Sequence, residues 1–339
     1  YKATIGGMIS TNCHGKDSIN GNFGNQISEI KVLYSNLEIK IITNKDKEFF
    51  HIIGGCGLLC LILEAKIKLK KNFSFSNQII KKTTTFENLN ECINLLQNSN
   101  SYYTVAWIDC FSKNFRGAIE YGDWTQNYKK LKELKYDKIN FIKKFINKVY
   151  YFFIKLIINR FLMKLINTML FNFLKINQKK IKKIDFIDFY FFHKSISLDI
   201  SKVYPGGLFE VHLLVKKENI NIIYSILSLL KKYRFESWFC GLKTHTNDSY
   251  TLSFSNNGIG LTINFPYNYT KLNKFKMFKE EFEVIIINNN IKFNLSKDSY
   301  LNKKVFSKMY KEGINFIKFK NIIDKENLIN TDFYNRLFK

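Results

Sequence analysis

Apolar and polar residues alternate over several short stretches of the chain, which is the pattern of half-buried strands. Residues 27–35 and 37–43 predict two strands separated by a turn at Asn36. The apolar run 58–69 ends in strict alternation with lysines, which predicts a strand at its C-terminal end. Further strands are predicted, by the same pattern, at residues 102–110, 115–121, 208–215, 235–242 and 258–265.

Helical spacing of apolar residues appears between these strands. Thr85 can cap a helix that runs to Leu96, and residues 220–231 and 271–287 predict two longer helices. Two more short helices are expected in the last forty residues, whereas residues 1–24, rich in small and polar residues, predict a loop. Together these elements predict an α+β fold, a mixed sheet with helices on one side.

Composition narrows the range of partners. The 339 residues are 46% hydrophobic, enough for a substantial core, and the formal net charge is +25. Such a charge suits nucleic acid, phospholipid headgroups or a phosphorylated substrate, although a solvated lysine-rich surface is the plain alternative. The six cysteines lack paired metal-ligand spacing, so we expect mostly buried free thiols and no metal site.

A basic segment runs from Lys138 to Lys183, with twelve Lys and Arg and no acidic residue. Its uncharged stretches are too short to span a bilayer. Residues 141–176 instead predict an amphipathic element, broken after Asn159, that lies against an anionic membrane surface. A helical hairpin packed on the domain, with its lysines in water, is the alternative.

Two glycine-rich strings carry the candidate chemistry. The first runs from Thr4 to Lys16 and is followed by Gly21-Asn22-Phe23-Gly24. The second, Gly54-Gly55-Cys56-Gly57, leads into an apolar run that contains Ile62. Glycines allow backbone N–H groups to approach a ligand closely, which favours a flat or anionic ligand over ordinary turns. The spacing is not that of a Rossmann fingerprint.

Taken together, the two strings resemble the PCMH-type FAD-binding domain of the vanillyl-alcohol-oxidase family. His14-Gly15-Lys16 is similar to the His-Gly-Lys of its decaprenylphosphoryl-ribose oxidase branch. Later segments resemble that branch in the same order, namely 106–109, 116–117, 204–212, 242–243, 258–266 and 297–298. The resemblance therefore covers nearly the whole chain, and order and spacing carry its specificity.

The resemblance implies a division of the chain. Residues 1–72 would be the C-terminal part of the FAD-binding domain, whose N-terminal part is missing, and residues 73–289 a substrate domain. Residues 290–339 would return to the FAD domain. We expect FAD to be held without a covalent bond. It would contact residues of the two glycine-rich strings and one residue near the C-terminus, namely Thr4, Ile5, Gly6, Gly7, Thr11, Asn12, Cys13, His14, Ile62 and Asn294.

Catalytic and substrate roles follow from the same resemblance. Lys297 would accept the proton of the substrate hydroxyl or supply a positive charge beside the flavin. The substrate side would be lined by Lys243, His212, Glu210 and Thr262. Since Glu210, His212, Thr262 and Asn294 depart from the residues usual in that branch, the substrate is expected to differ as well.

The function implied is oxidation of a hydroxyl group on a lipid-linked sugar. The expected partners are that substrate, an anionic membrane surface and a short-chain reductase that completes an epimerisation, rather than nucleic acid. The expected location is peripheral at the inner membrane, with the cytoplasmic side favoured over the periplasmic. Alternatives are a soluble sugar or aldonolactone oxidase of the same superfamily, and a non-catalytic basic module that binds nucleic acid or membrane.

Overall fold

A computed structural model describes residues 3–17, 19–69, 78–125, 149, 151–155, 157–178, 180–190, 202–298 and 300–339. Five elements form the N-terminal part: α1 (Ile5–Ser10), β1 (Ile27–Leu33), β2 (Ile39–Thr43), α2 (Lys47–Ile52) and β3 (Leu61–Ile67). The three strands form an antiparallel sheet in the order β2-β1-β3, which confirms the strands predicted there. The prediction of a loop over residues 1–24 was wrong at α1, where the Thr4 side chain caps the helix by accepting from Gly7 N–H.

The remaining strands build one larger sheet. They are β4 (Gln78–Phe86), β5 (Tyr103–Ile108), β6 (Gly117–Trp124), β7 (Lys182–Asp185), β8 (Leu208–Lys216), β9 (Cys240–His245), β10 (Gly258–Pro266) and β11 (Lys292–Phe293). Their order is β11-β8-β10-β9-β5-β6-β4-β7, and all seven pairings are antiparallel. The prediction of a mixed sheet was therefore wrong in strand direction, while the α+β class is confirmed.

Helices complete the described chain: α3 (Leu89–Gln97), α4 (Arg160–Asn177), α5 (Phe186–Tyr190), α6 (Asn221–Lys232), α7 (Lys274–Asn288), α8 (Lys303–Met309), α9 (Gly313–Ile323) and α10 (Asp332–Phe338). The two longer helices were predicted within a few residues. Thr85 does not cap α3, because it lies in β4 and its hydroxyl donates to Gln178 (2.7 Å); Asn88 is the cap. The predicted strand at 235–242 begins only at Cys240, and three rather than two helices end the chain.

Helices cover both faces of the larger sheet, so the prediction of helices on one side was also wrong. Tyr121 and Gly122 are neighbours on β6 and therefore point to opposite faces. Tyr121 lines a groove with α3, whereas the ring of Phe189 in α5 fills the space beside Gly122. We call the Tyr121 side the core face and the Gly122 side the site face.

The core face carries most of the apolar burial. One continuous cluster joins β1–β3, the inward residues of β5, β8 and β10, and helices α3, α6, α7, α8 and α10. Because this cluster spans all three predicted segments, the parts of the chain hold one another in place. The boundaries at 72 and 289 stay predictions.

Candidate functional site

The residues predicted to meet the substrate share the site face. The strand register carries this face from Ala118 through Trp107 and Gly241 to Thr262, which is paired with His212. Glu210 lies two residues before His212, and Lys243 two after Gly241, so both point the same way. Alternation along three strands therefore brings together side chains that are 50 residues apart in the sequence.

The loop after α1 places His14 over this face. Its Nε2 atom lies 3.2 Å from Nδ1 of His212, and its ring centroid is 5.1 Å from that of His245. The ring of Phe254 contacts all three imidazoles. We name these three residues, His14, His212 and His245, the histidine cluster. His245 carries no motif in the sequence, but its position two residues after Lys243 on β9 places it on the same face.

Gly260 makes room for two of these rings. It lies on β10 between Leu214 and Lys243, and a Cβ atom there would lie 2.7 Å from Nε2 of His245 and 2.9 Å from Nε2 of His212. Non-bonded Cβ atoms almost never lie so close to another atom, so a larger residue here would force the rings to shift. A glycine at this position therefore allows the observed arrangement of His212 and His245.

The donor and acceptor roles within the cluster follow from the imidazole tautomers. Nδ1 of His212 lies 3.2 Å from Nε2 of His14 and 3.4 Å from the side-chain amide nitrogen of Asn294, and its single lone pair can accept fully from only one of them. Nδ1 of His14 and Nε2 of His245 are buried without a hydrogen-bond partner among the described residues. Buried polar atoms of this kind call for a partner such as a water molecule or a ligand.

The surroundings keep the cluster uncharged. Burial, reinforced by the charges of Lys243 and Lys297, lowers the pKa of His14 to about 3. Burial likewise lowers the pKa values of His212 and His245 well below 6.5. All three imidazoles are therefore neutral at neutral pH. In the described part of the chain, no three His, Cys, Asp or Glu side chains are arranged to hold a metal ion.

Two lysines border the cluster. Burial lowers the pKa of Lys243 to about 8, and its ammonium group donates to the backbone carbonyl of Gly15. Lys297 lies in the turn Leu295–Lys297 that follows Asn294, and its ammonium group is 2.9 Å from the Glu210 carboxylate. The structure thus brings Lys297, Lys243, Glu210, Asn294 and the histidine cluster to one site, although they come from four separate parts of the sequence.

A buried carboxylate that the sequence analysis missed supports this arrangement. Asp248 accepts hydrogen bonds from Asn12 (2.9 Å), Asn22 (3.0 Å) and the Ser253 hydroxyl (2.9 Å). Burial raises its pKa even though these bonds oppose the shift. Asn22 also donates to the Ser255 hydroxyl (2.7 Å), which lies 3.3 Å from Nδ1 of His245. Asp248 stands in an irregular loop where no periodicity or motif signals it.

The residues predicted to contact FAD fall into two groups. Thr11, Asn12 and Asn294 line a narrow crevice together with Gly54 and Cys56, and Cys13 and His14 continue from it to the site face. Thr4, Ile5, Gly6, Gly7 and Ile62 form a second group where α1 crosses β3, a more exposed surface on which Ile5 is 51% exposed.

Lys16, beside His14 in the sequence, lies away from the cluster. Its ammonium group donates to the carbonyl of Phe189 (2.7 Å), and its backbone N–H donates to the Tyr190 hydroxyl (3.1 Å). A Cβ atom on Gly15 would overlap that hydroxyl. The His-Gly-Lys string therefore packs on α5 through Gly15 and Lys16 and presents His14 to the site.

Comparison with known proteins gives one informative similarity. Decaprenylphosphoryl-beta-D-ribose oxidase from Mycolicibacterium smegmatis is 29% identical over 119 residues, which cover 33% of this chain and 25% of that protein. The match thus spans about a quarter of the relative's length. No protein-family profile matches the chain.

Proposed function

We propose that the chain is part of an FAD-dependent oxidoreductase that oxidises a hydroxyl group of a sugar. The observation that carries the proposal is the convergence of His14, Lys243, Asn294 and Lys297 at one site. His14, Lys243 and Lys297 belong to separate motifs through which the sequence resembles FAD-linked sugar oxidases, and Asn294 stands at a position where the resembled branch usually has another residue. Similarity to a curated oxidase over a third of the chain points to the same class of reaction.

The glycine-rich surface fits a flat ligand held by backbone groups. Gly54, Cys56 and Gly57 all adopt left-handed backbone conformations, which turn the chain sharply beside the crevice. A Cβ on Gly6 would meet only Ile62, at 3.8 Å, so the space above this glycine is open to a ligand. Nδ1 of His14, which is buried without a hydrogen-bond partner among the described residues, adds a polar atom between this surface and the site face. FAD, when bound, supplies a hydride acceptor for the carbon that carries the hydroxyl group.

The side chains around the cluster would orient the sugar and manage its proton. His14, with a pKa of about 3, holds a proton poorly, so it would orient the hydroxyl group through a hydrogen bond rather than remove its proton. Lys297 is the proposed proton acceptor or positive charge. Lys243 would bind an anionic group of the substrate, such as a sugar phosphate. We propose a polyprenyl-phosphate-linked pentose or a similar cell-envelope precursor.

Flavin content tests the cofactor. Gly6→Val should abolish flavin absorbance in the complete protein, because its side chain would occupy the ligand's space. The thermal midpoint should stay close to that of the wild type, since valine is tolerated in a helix about as well as glycine and space is available. Gly57→Val is a poorer choice, because φ at Gly57 is +71° and the variant would be strained with or without flavin. Normal flavin content in Gly6→Val would refute the assignment.

Reduction of the bound flavin by substrate tests Lys297. Lys297→Ala should keep the flavin and slow its reduction by about two orders of magnitude. Lys297→Arg separates the two proposed roles: it should restore the rate if a positive charge is required and should not if the lysine accepts the proton. If Lys297→Ala reduces the flavin at the wild-type rate, Lys297 has a structural role and the proposed mechanism is wrong.

A further inference from the structure

Helix α4 exposes an apolar face to solvent. At about 100° per residue, its buried residues Met163, Asn167 and Phe171 share one side of the helix. The opposite side carries six apolar residues: Phe161 (78% exposed), Leu165, Ile166, Met169 (63%), Phe173 and Ile176 (78%). A surface helix ordinarily places polar residues on the side away from the core. This helix does the reverse over most of its 18 residues.

Contacts with the sheet fix the helix in this orientation. Asn167 donates to the buried carboxylate of Asp109 (3.4 Å), and the guanidinium group of Arg116 donates to Thr168 (3.2 Å). That guanidinium also lies 4.4 Å from the centre of the Phe171 ring. Turning the apolar face inward would break all of these contacts. The exposed face is therefore a built feature of the fold.

The apolar surface continues on both sides of α4. Residues 151–155 are helical, and Phe152, Phe153 and Ile157 before the break at Asn159 are each more than half exposed. Ile181, four residues after the end of α4, is 68% exposed. The break at Asn159, which caps α4, agrees with the predicted interruption of the amphipathic element. Of the predicted element, residues 141–148, 150 and 156 lie outside the described residues.

Cations border this surface, and the segment 138–183 that carries them contains no acidic residue. Lys164 and Lys175 lie between the buried and the exposed side of α4, and Lys155 and Lys182 are exposed in the flanking segments. Lys175 pairs with Glu87, but Lys164 and Lys182 form no ion pair with any residue that the structure describes. An apolar stripe flanked by unpaired lysines is complementary to an anionic lipid surface, where acyl chains meet phosphate groups.

We propose that α4 lies in the plane of an anionic membrane surface, with its apolar side chains in the headgroup–acyl boundary. None of the described helices is long and apolar enough to cross a bilayer. Binding of this kind attaches the protein to one leaflet through a rigid surface of its sheet domain. The proposal rests on α4 and its flanks alone, and its test does not depend on the flavin.

Vesicle binding tests the proposal. The complete protein should co-sediment with phosphatidylcholine vesicles that contain a third phosphatidylglycerol, and bind pure phosphatidylcholine far more weakly. Binding should weaken with salt, since the Debye length falls from about 30 Å at 0.01 M to about 3 Å at 1 M. Phe173→Trp, at an exposed position, should shift its fluorescence to the blue with anionic vesicles only.

Variants separate the apolar from the electrostatic contribution. Lys155→Glu/Lys164→Glu/Lys182→Glu should lower the partition coefficient by at least about 100-fold, because each lysine contributes about a factor of five. Phe161→Ser/Met169→Gln/Ile176→Gln should abolish binding without loss of thermal stability, since all three side chains are exposed.

Matched controls change the same numbers of charges and apolar groups elsewhere. Lys304→Glu/Lys311→Glu/Lys318→Glu reverses three exposed lysines near the C-terminus, and Ile314→Gln/Ile322→Gln/Leu328→Gln removes three exposed apolar side chains there. Both controls should bind like the wild type. The proposal is overturned if the controls lose binding as strongly as the α4 variants. It is equally overturned if the wild type stays in the supernatant at low salt, or if α4 variants change only self-association in sedimentation velocity.

Discussion

Acidification from pH 7 to pH 5 should strongly destabilise the protein, because the histidine cluster is buried in its neutral form. In the unfolded chain each histidine takes up a proton near pH 6.5, whereas in the folded chain His14 does so only at about pH 3. The unfolded state therefore binds more protons throughout this window, and stability falls as the pH falls. The contribution is fully present above pH 6.5 and is lost progressively below it.

The magnitude follows from the two pKa values. For His14 the free energy of unfolding drops by about 2 kcal/mol between pH 7 and pH 5, at about 1.4 kcal/mol per pH unit below 6.5. His212 and His245, whose pKa values burial also lowers well below 6.5, add changes of the same sign. The loss from His14 alone is already a large part of the stability of an ordinary domain, about 5–15 kcal/mol.

Guanidinium unfolding followed by tryptophan fluorescence at pH 7, 6 and 5 measures how the free energy of unfolding depends on pH. His245→Asn should reduce the pH-dependent loss, and His212→Gln/His245→Asn should reduce it further, whatever their effect at pH 7. His51→Gln, which changes a histidine outside the cluster, should leave most of the slope in place. Equal stability of the wild type at pH 7 and pH 5 would refute the reasoning, as would an unchanged slope in the double variant.

Two further predictions concern single positions. Lys320→Met should lower the free energy of unfolding by about 3–5 kcal/mol, because it leaves the carboxylate of Asp324 buried without its cation. Urea titrations measure this loss, and a value below about 1 kcal/mol would mean that water reaches the carboxylate. Gly260→Ala should cost about 1–3 kcal/mol through its clash with two imidazoles. Most of the stability loss caused by Gly260→Ala should disappear when the substitution is introduced into the His245→Ala variant instead of the wild type. If the losses of the two single variants simply add in the double variant, the proposed clash is contradicted.

Strand positions were predictable because alternation in the sequence reports burial directly. The pattern of β8 and β10 located both strands within a residue or two. The relative direction of neighbouring strands was not predictable, since a strand shows the same alternation whether its neighbour is parallel or antiparallel. The short helix α1 was not predicted because two of its six residues are glycines, which disfavour a helix. The cap at Thr4 and the packing of Gly6 on Ile62 decide the local structure.

The candidate site was partly predictable for a different reason. Residues inside recognisable motifs, such as His14 and Lys297, could be proposed from their neighbours in the sequence. His245 and Asp248 could not, because their importance comes from contacts with residues more than 200 positions away. A single aspartate in an irregular loop carries no signal until the loop is folded.

Gly260 also couples the two strands' histidines through empty space. A Cβ atom there would lie 2.7 Å from Nε2 of His245 and 2.9 Å from Nε2 of His212, so a side chain at this position would push at least one ring out of place. A residue that contributes no chemical group therefore sets how closely two imidazoles can lie against the strand, and the spacing of the histidine cluster depends on an atom that the chain does not have.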